Sequence, residues 1–205
     1  MLSNTREGTD IKGRKIKMLL SNSLAISHEI IRRVVRPGDT VVDATMGNGN
    51  DTLLLAELVG EKGMVYSFDI QEAALDSTKK KLGNAGMEGN VKLILDGHQN
   101  IDSYVPKGIK AVMFNLGYLP KGDHSIGTKA DTTIEALNKS MELLMTGGIV
   151  MLVIYYGGDS GFDERDAVLE YLKTIDCRKY TVLVSDFVNQ INCPPIAVCI
   201  EKNQL

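Results

Sequence analysis

Cysteine is scarce in this chain and shows no pairing pattern. Cys177, Cys193 and Cys199 are the three cysteines among 205 residues. No CxxC or Cys/His ligand spacing occurs, which argues against a disulfide framework and a zinc site and favours idle thiols in a reducing compartment. Charge of one sign is also lacking. The formal net charge is −3, so no overall positive field announces a nucleic-acid partner, although a local basic patch would suffice for one. No apolar run approaches the length of a membrane span, and the amino-terminal stretch carries no signal core, so a cytoplasmic chain is expected. Internal repeats and low-complexity tracts are missing as well, and no metal is expected.

What remains is the make-up of an ordinary globular domain, with 43% hydrophobic and 24% charged residues. The length suits one domain with a sizeable core. Residues 1–17 are polar, with Arg6, Lys12, Arg14, Lys15 and Lys17 against Glu7 and Asp10, and sustain no period. They read as a flexible amino-terminal extension, with a basic arm for RNA phosphates as the alternative. A single domain is then expected over 18–205.

Across that domain, apolar strands alternate with amphipathic helices. The pattern predicts a helix over 23–35, with Ile26, Ile30, Ile31 and Val34 on one face and His28 off it. Strands are expected over 40–44, 64–69, 91–95, 111–116 and 149–155, and helices over 52–59, 72–82, 132–144 and 163–173. Asp51 or Thr52 is expected to cap the second helix, Gly60 to close it, and Gly83 to end the third. Strands over 180–187 and 196–201 finish the chain. The segment between them is too short for a crossover helix, so they should pair antiparallel. The expectation is an α/β fold with a seven-stranded, mostly parallel, Rossmann-like sheet whose last strand is antiparallel. Such a sheet matches the class I S-adenosylmethionine-dependent methyltransferases better than an ordinary dinucleotide-binding fold.

In an open α/β sheet the ligand lies beyond the carboxyl ends of the strands, where strand order reverses. Four consecutive strands end at or beside an acid or amide: Asp43, Asp69, Asp96 and Asn115. After the first comes Asp43-Ala44-Thr45-Met46-Gly47-Asn48-Gly49-Asn50-Asp51-Thr52. Its two glycines allow a tight turn and a close ligand approach. A dinucleotide loop would carry a third small residue where Thr52 stands. Asp43 and Asp51 would repel a pyrophosphate, yet suit a cofactor with a sulfonium, an ammonium and no phosphate, namely S-adenosyl-L-methionine. Asp69, about 20 residues past Gly49, is placed for ribose hydroxyls. The candidate cofactor residues are therefore Asp43, Thr45, Gly47, Asn48, Gly49, Asn50, Asp51 and Thr52 in the loop, Asp69, Ile70 and Gln71 after the second strand, Asp96, Gly97 and His98 after the third, and Asn115 on the fourth. Asp96 is expected to meet the adenine amino group. His98 either lines the adenine pocket or is an ordinary loop histidine.

Further stretches carry a family resemblance. They are Asn115-Leu116-Gly117-Tyr118-Leu119-Pro120-Lys121-Gly122-Asp123-His124-Ser125, Asp96-Gly97-His98-Gln99-Asn100, and Asn189-Gln190-Ile191-Asn192-Cys193-Pro194-Pro195. With the glycine loop and Ser27-His28-Glu29, they resemble a bacterial family catalogued as rRNA methylases, over nearly everything from Ser27 to Lys202. Its characterised members look like tRNA wobble-uridine methyltransferases, which methylate the amino group of 5-aminomethyl-(2-thio)uridine at position 34. The resemblance implies a tRNA anticodon stem-loop as substrate partner; no membrane partner is expected, and a homodimer is left open.

The reaction can be read against that resemblance. Asn115-Leu116-Gly117-Tyr118 stands where amino-group methyltransferases carry an NPPY-type motif, although both prolines are missing. By that analogy Asn115 positions the amine and Tyr118 packs against the uracil. An alkyl amine titrates near the lysine value of about 10.4, so it must lose a proton before it attacks. Asp123, His124 and His28 are the candidate acceptors. Tyr155-Tyr156 could wall the substrate pocket, while Gly157-Gly158 stands where relatives can carry histidine. Asn189, Asn192 and Pro194-Pro195 form either a turn or a substrate-side lip. Basic groups that could meet RNA are Arg32, Arg33, Arg36 and Lys121, with Lys79 to Lys81 read as a solvated helix face. Rival readings are methylation of rRNA or of a small-molecule amine, a nicotinamide oxidoreductase, and a non-catalytic binding module.

Overall fold

A computed structural model gives the structure of the protein and describes residues 7–9, 15–17, 20–117, 127–156 and 161–204. Near the amino terminus β1 (Glu7–Thr9) and β2 (Lys15–Lys17) pair antiparallel. Strands of three residues are too short to leave a period of two in the sequence, which is why no element was expected there.

The remaining elements follow in order. They are α1 (Ser23–Val34), β3 (Thr40–Asp43), α2 (Asn50–Val59), β4 (Met64–Asp69), α3 (Glu72–Ala85) and β5 (Val91–Leu95), a 3-10 segment (His98–Ser103), then β6 (Ile109–Leu116), α4 (Ala130–Leu143), β7 (Leu144–Ile154), α5 (Gly161–Lys173), β8 (Tyr180–Ser185) and β9 (Ile196–Lys202). Asn22 caps α1, its side chain accepting the Ala25 N–H at 2.8 Å.

At two helix ends the capping differs from the sequence expectation. Neither Asp51 nor Thr52 caps α2. Its N-cap is Gly49, in the left-handed region with φ 71 and no side-chain cap, so both residues sit inside the first turn. And α3 passes through Gly83 and stops at Gly86, whose φ of 68 turns the chain. The Met87 N–H then returns to the Leu82 carbonyl at 3.0 Å, a closure that a left-handed residue permits and Gly83 does not make.

Seven strands form one sheet in the order β5-β4-β3-β6-β7-β9-β8. The first four pairings are parallel, while β9 runs antiparallel to both β7 and β8. After β3 the chain builds outward through β4 and β5, then returns to place β6 on the other side of β3. The switch point therefore lies between β3 and β6, where Asp43 faces Met113 in register. Ligands of open α/β sheets occupy that crevice.

Apolar residues fill both faces of the sheet, as a near-continuous run of buried strand residues requires. Val41, Met113 and Met151 pack with Ile31, Leu55 and Val59 on one face. Their neighbours Val42, Phe114 and Leu152 pack with Leu137, Met141 and Val168 on the other. Successive strand residues point to opposite faces, so each strand serves both layers. Among the described residues no helix is long and apolar enough to cross a membrane.

Candidate active site

The glycine loop is braced from behind. Asp43 is fully buried; its carboxylate accepts the Thr52 hydroxyl at 2.6 Å and the Thr45 N–H at 3.2 Å. The Ser67 hydroxyl lies 2.8 Å from that of Thr52. Burial, and then the nearby Asp51 carboxylate, push the Asp43 pKa up to about 7. Asp43 thus holds the loop to the start of α2 and offers no open face. Gly47 and Gly49 both have positive φ, 52 and 71. A Cβ on Gly49 would lie 2.6 Å from Thr78 Oγ1 and 2.9 Å from Thr78 Cα, so the loop rests directly on α3. Asn48 and Asn50 are exposed, and Lys81 Nζ bonds to the Asn50 side chain.

Asp69 closes the loop from β4. One oxygen accepts the Gly47 N–H at 2.9 Å and the other the Gln71 N–H at 3.0 Å. Each oxygen keeps a lone pair for a further donor. Ile70, next in the chain, leaves 58% of its surface exposed at this edge. Asp96, just past β5, accepts Asn100 Nδ2 at 2.9 Å, the Gly97 N–H at 2.7 Å and the Tyr104 hydroxyl at 2.9 Å. The Asn100 bond leads in holding its carboxyl below the usual range. His98 is buried, with Nδ1 donating to the Ala44 carbonyl at 3.2 Å and the ring edge-on to Phe114. Burial lowers its pKa, so the ring is neutral at pH 7.

These residues fit S-adenosylmethionine. Two left-handed glycines open the loop backbone to a ligand, and Asp69 has acceptor capacity left for ribose hydroxyls. Ile70 supplies apolar surface for an adenine. Asp51, Asp69 and Asp96 make this edge acidic, which suits a cation and opposes a pyrophosphate.

A second set of groups converges at the end of β6. The Asn115 backbone N–H donates to Thr45 Oγ1 at 2.7 Å. Asn115 Nδ2 donates to Asp51 Oδ2 at 2.7 Å, and His28 Nε2 lies 2.7 Å from Asp51 Oδ1. Asp51 is 5% exposed. Three elements, α1, α2 and β6, therefore meet at one carboxylate. Tyr155, just past β7, joins them: its N–H donates to the Leu116 carbonyl at 3.0 Å. Burial, with a smaller push from Asp51, raises its hydroxyl to about 12. Tyr118, Lys121, Asp123, His124, Gly157 and Gly158 lie outside the described residues.

Sequence reasoning missed the clamp on either side of 118–126. The Gly117 N–H donates to Thr128 Oγ1 at 2.8 Å, and the Thr128 N–H returns to the Gly117 carbonyl at 3.0 Å. The hydroxyls of Thr128 and Thr133 donate to the two oxygens of buried Glu164 at 2.7 and 2.9 Å. A glutamate in the first turn of α5 reads from sequence as a partner of the helix dipole, and no other signal marks it. Tyr104, the partner of Asp96, was missed likewise. Ser23 at the start of α1 bonds to the Pro195 carbonyl, which ties the 186–195 segment to the helix that carries His28. Arg32 and Arg33 lie in the last turn of α1, and Arg36 in the turn that leads into β3, at the opposite edge of the sheet.

The sheet order and the loop define a fold of the class I S-adenosylmethionine-dependent methyltransferases. Residues 65–201 match the family model described as "Putative rRNA methylase", and the chain belongs to that family. A member from Clostridium thermocellum is 61% identical and superimposes with a TM-score of 0.87, covering 88% of this chain and 97% of that one. A Streptococcus mutans methyltransferase solved in complex with SAH is 43% identical, with a TM-score of 0.81, covering 88% and 98%. The chloroplastic tRNA (mnm(5)s(2)U34)-methyltransferase of Arabidopsis thaliana is 41% identical over 153 residues, which are 70% of this chain and 56% of that protein. The chain spans about half the length of the first curated relatives it matches.

Proposed function

We propose that the protein is an S-adenosylmethionine-dependent RNA methyltransferase that N-methylates the aminomethyl group of 5-aminomethyl-(2-thio)uridine at tRNA position 34. The observation that carries the reading is the Asn115 side chain at the carboxyl end of β6, bonded through Asp51 to His28 and through its backbone to the glycine loop. The 41% identity to a tRNA (mnm(5)s(2)U34)-methyltransferase supports the choice of substrate. Bound S-adenosylmethionine would supply an electrophilic methyl group. Gly47, Gly49 and Asp69 would hold the cofactor, Asp69 accepting hydrogen bonds from ribose hydroxyls and Asp96 from the adenine amino group, with Asn48, Asn50, Ile70, Gln71 and Gly97 around them.

The chain's own groups handle the acceptor. Asn115 Oδ1 accepts an N–H of the amine and sets the direction of the nitrogen. Tyr118 is assigned to pack on the uracil, and Tyr155 to wall the substrate pocket. The amine must shed a proton, and His28, Asp123 and His124 are the groups assigned to receive it. The substrate partner is the anticodon stem-loop, with Lys121 as a phosphate contact. Free cysteines at 177, 193 and 199 accord with a reducing, cytoplasmic setting.

The test is methyl transfer to total tRNA from cells lacking the enzyme, followed by mass analysis of wobble nucleosides. A methyl gained at the position-34 aminomethyl group supports the reading; transfer only to rRNA or to a free amine replaces it. Asn115→Ala should lose at least ~100-fold in turnover while cofactor affinity stays within about twofold.

A further inference from the structure

Asp51 is buried, and each of its carboxylate oxygens is bonded to a half-buried side chain. Oδ1 pairs with His28 Nε2 and Oδ2 with Asn115 Nδ2, each at 2.7 Å, and the residue is 5% exposed. An aspartate so enclosed is badly placed to be a cofactor ligand, the role that its position in the loop suggests. We infer that Asp51 is a positioning residue for the methyl acceptor: it orients the Asn115 amide so that Oδ1 faces the amine, and it sets a buried negative charge behind that amide which favours a cationic alkyl amine. The inference rests on the reading of the protein as an amine methyltransferase.

The orientation follows from donor chemistry. An ionised carboxylate only accepts, so the amide must turn its NH₂ toward Asp51. The flipped amide would set acceptor against acceptor. Bonds to a charged acceptor are roughly twice as strong as neutral ones, so the preference is firm. His28 holds the other oxygen and keeps the carboxylate from rotating. With Nδ2 committed, the group that Asn115 presents to a substrate is a carbonyl oxygen polarised by the anion behind it.

The charge adds selectivity. An exocyclic base amine is neutral and gains little from a carboxylate behind the amide, whereas an alkyl ammonium gains a charge–charge attraction in a site of low dielectric. The 2.7 Å bond of Asp51 to the Asn115 side chain places the charge at the end of β6. Asp69 serves the loop and β4 side.

The test compares wild type, Asp51→Asn, Asn115→Ala and the double variant on undermethylated tRNA, with cofactor binding followed by calorimetry. Asp51→Asn should lower kcat by roughly 10- to 100-fold and leave the cofactor Kd within about twofold. In the Asn115→Ala background the same change should lower kcat by less than about twofold, because the orienting role has nothing left to act on, while the charge–charge share persists as a raised KM. A tenfold weaker cofactor Kd, or an equal loss of kcat in both backgrounds, would overturn the inference, and the Kd itself reports that each variant is folded. Wild type that transfers methyl beside an unimpaired Asp51→Asn also overturns it and leaves the proposed function standing. Absence of transfer by wild type overturns both.

Discussion

The hydroxyl of Thr45 accepts the backbone N–H of Asn115 at 2.7 Å, so one bond spanning 70 residues joins the glycine loop to the acceptor strand. Thr45→Val keeps the shape and removes the acceptor. The orphaned N–H should cost about 1–3 kcal/mol in chemical denaturation. Turnover should fall more than cofactor affinity, because Asn115 loses its fixed height. Thr45→Ser should restore both.

Gly49 is intolerant of a side chain for two separate reasons. Its φ of 71 is left-handed, and an added methyl would overlap the side chain and Cα of Thr78. Gly49→Ala should destabilise by about 1–3 kcal/mol from the backbone alone, with the overlap adding to it. Thr78→Ala should relieve only part of this, since Thr78 Cα remains in the way. Thermal melts of the single and double variants would separate the two contributions.

The raised pKa of Asp43 makes its contribution depend on pH. In the unfolded chain it titrates as an ordinary carboxylate and in the folded protein near pH 7. The folded state therefore binds more protons between those values, and the stability tied to Asp43 is lost as pH rises through that window. Asp43→Asn removes the titration. Its melting temperature relative to wild type should climb from pH 5 to pH 8, and a flat difference would refute the shift.

Glu164 satisfies two threonine hydroxyls that brace the flanks of 118–126. Glu164→Ala strands the fully buried Thr133 hydroxyl, and should cost about 3 kcal/mol. Glu164→Gln should recover roughly half, since its amide keeps only one accepting oxygen. Denaturant midpoints of the two variants check the order.

Much of the fold was legible because each signal was local. The limits of β4 and β5 could be read directly from their apolar runs, and the antiparallel pairing of β8 with β9 followed from the short link between them. The start of α2 was not legible in the same way. Asp51 and Thr52 looked like caps because both residue types cap helices, yet their side chains are committed to Asn115 and Asp43, contacts that no local pattern announces. The site divides likewise. Spacing brought Gly47, Gly49 and Asp69 together, whereas the meeting of His28 with Asp51 and of Thr128 with Glu164 depends on how helices pack across the sheet. Asp96 was singled out as a strand-end acid, but the hydroxyl of Tyr104 that it accepts comes from beyond the 3-10 segment, where the sequence offers no period to read.

The position of β9 has a consequence for biogenesis. It is the last of the described strands in sequence, yet it lies between β7 and β8. During synthesis β7 keeps an unpaired edge, carrying Val150, Leu152 and Ile154, until residues 196–202 have left the ribosome. An apolar edge of that kind invites pairing with other chains. Nascent protein should thus depend on holdase chaperones until those residues emerge, and a stop codon at position 196 should yield aggregates rather than a folded domain.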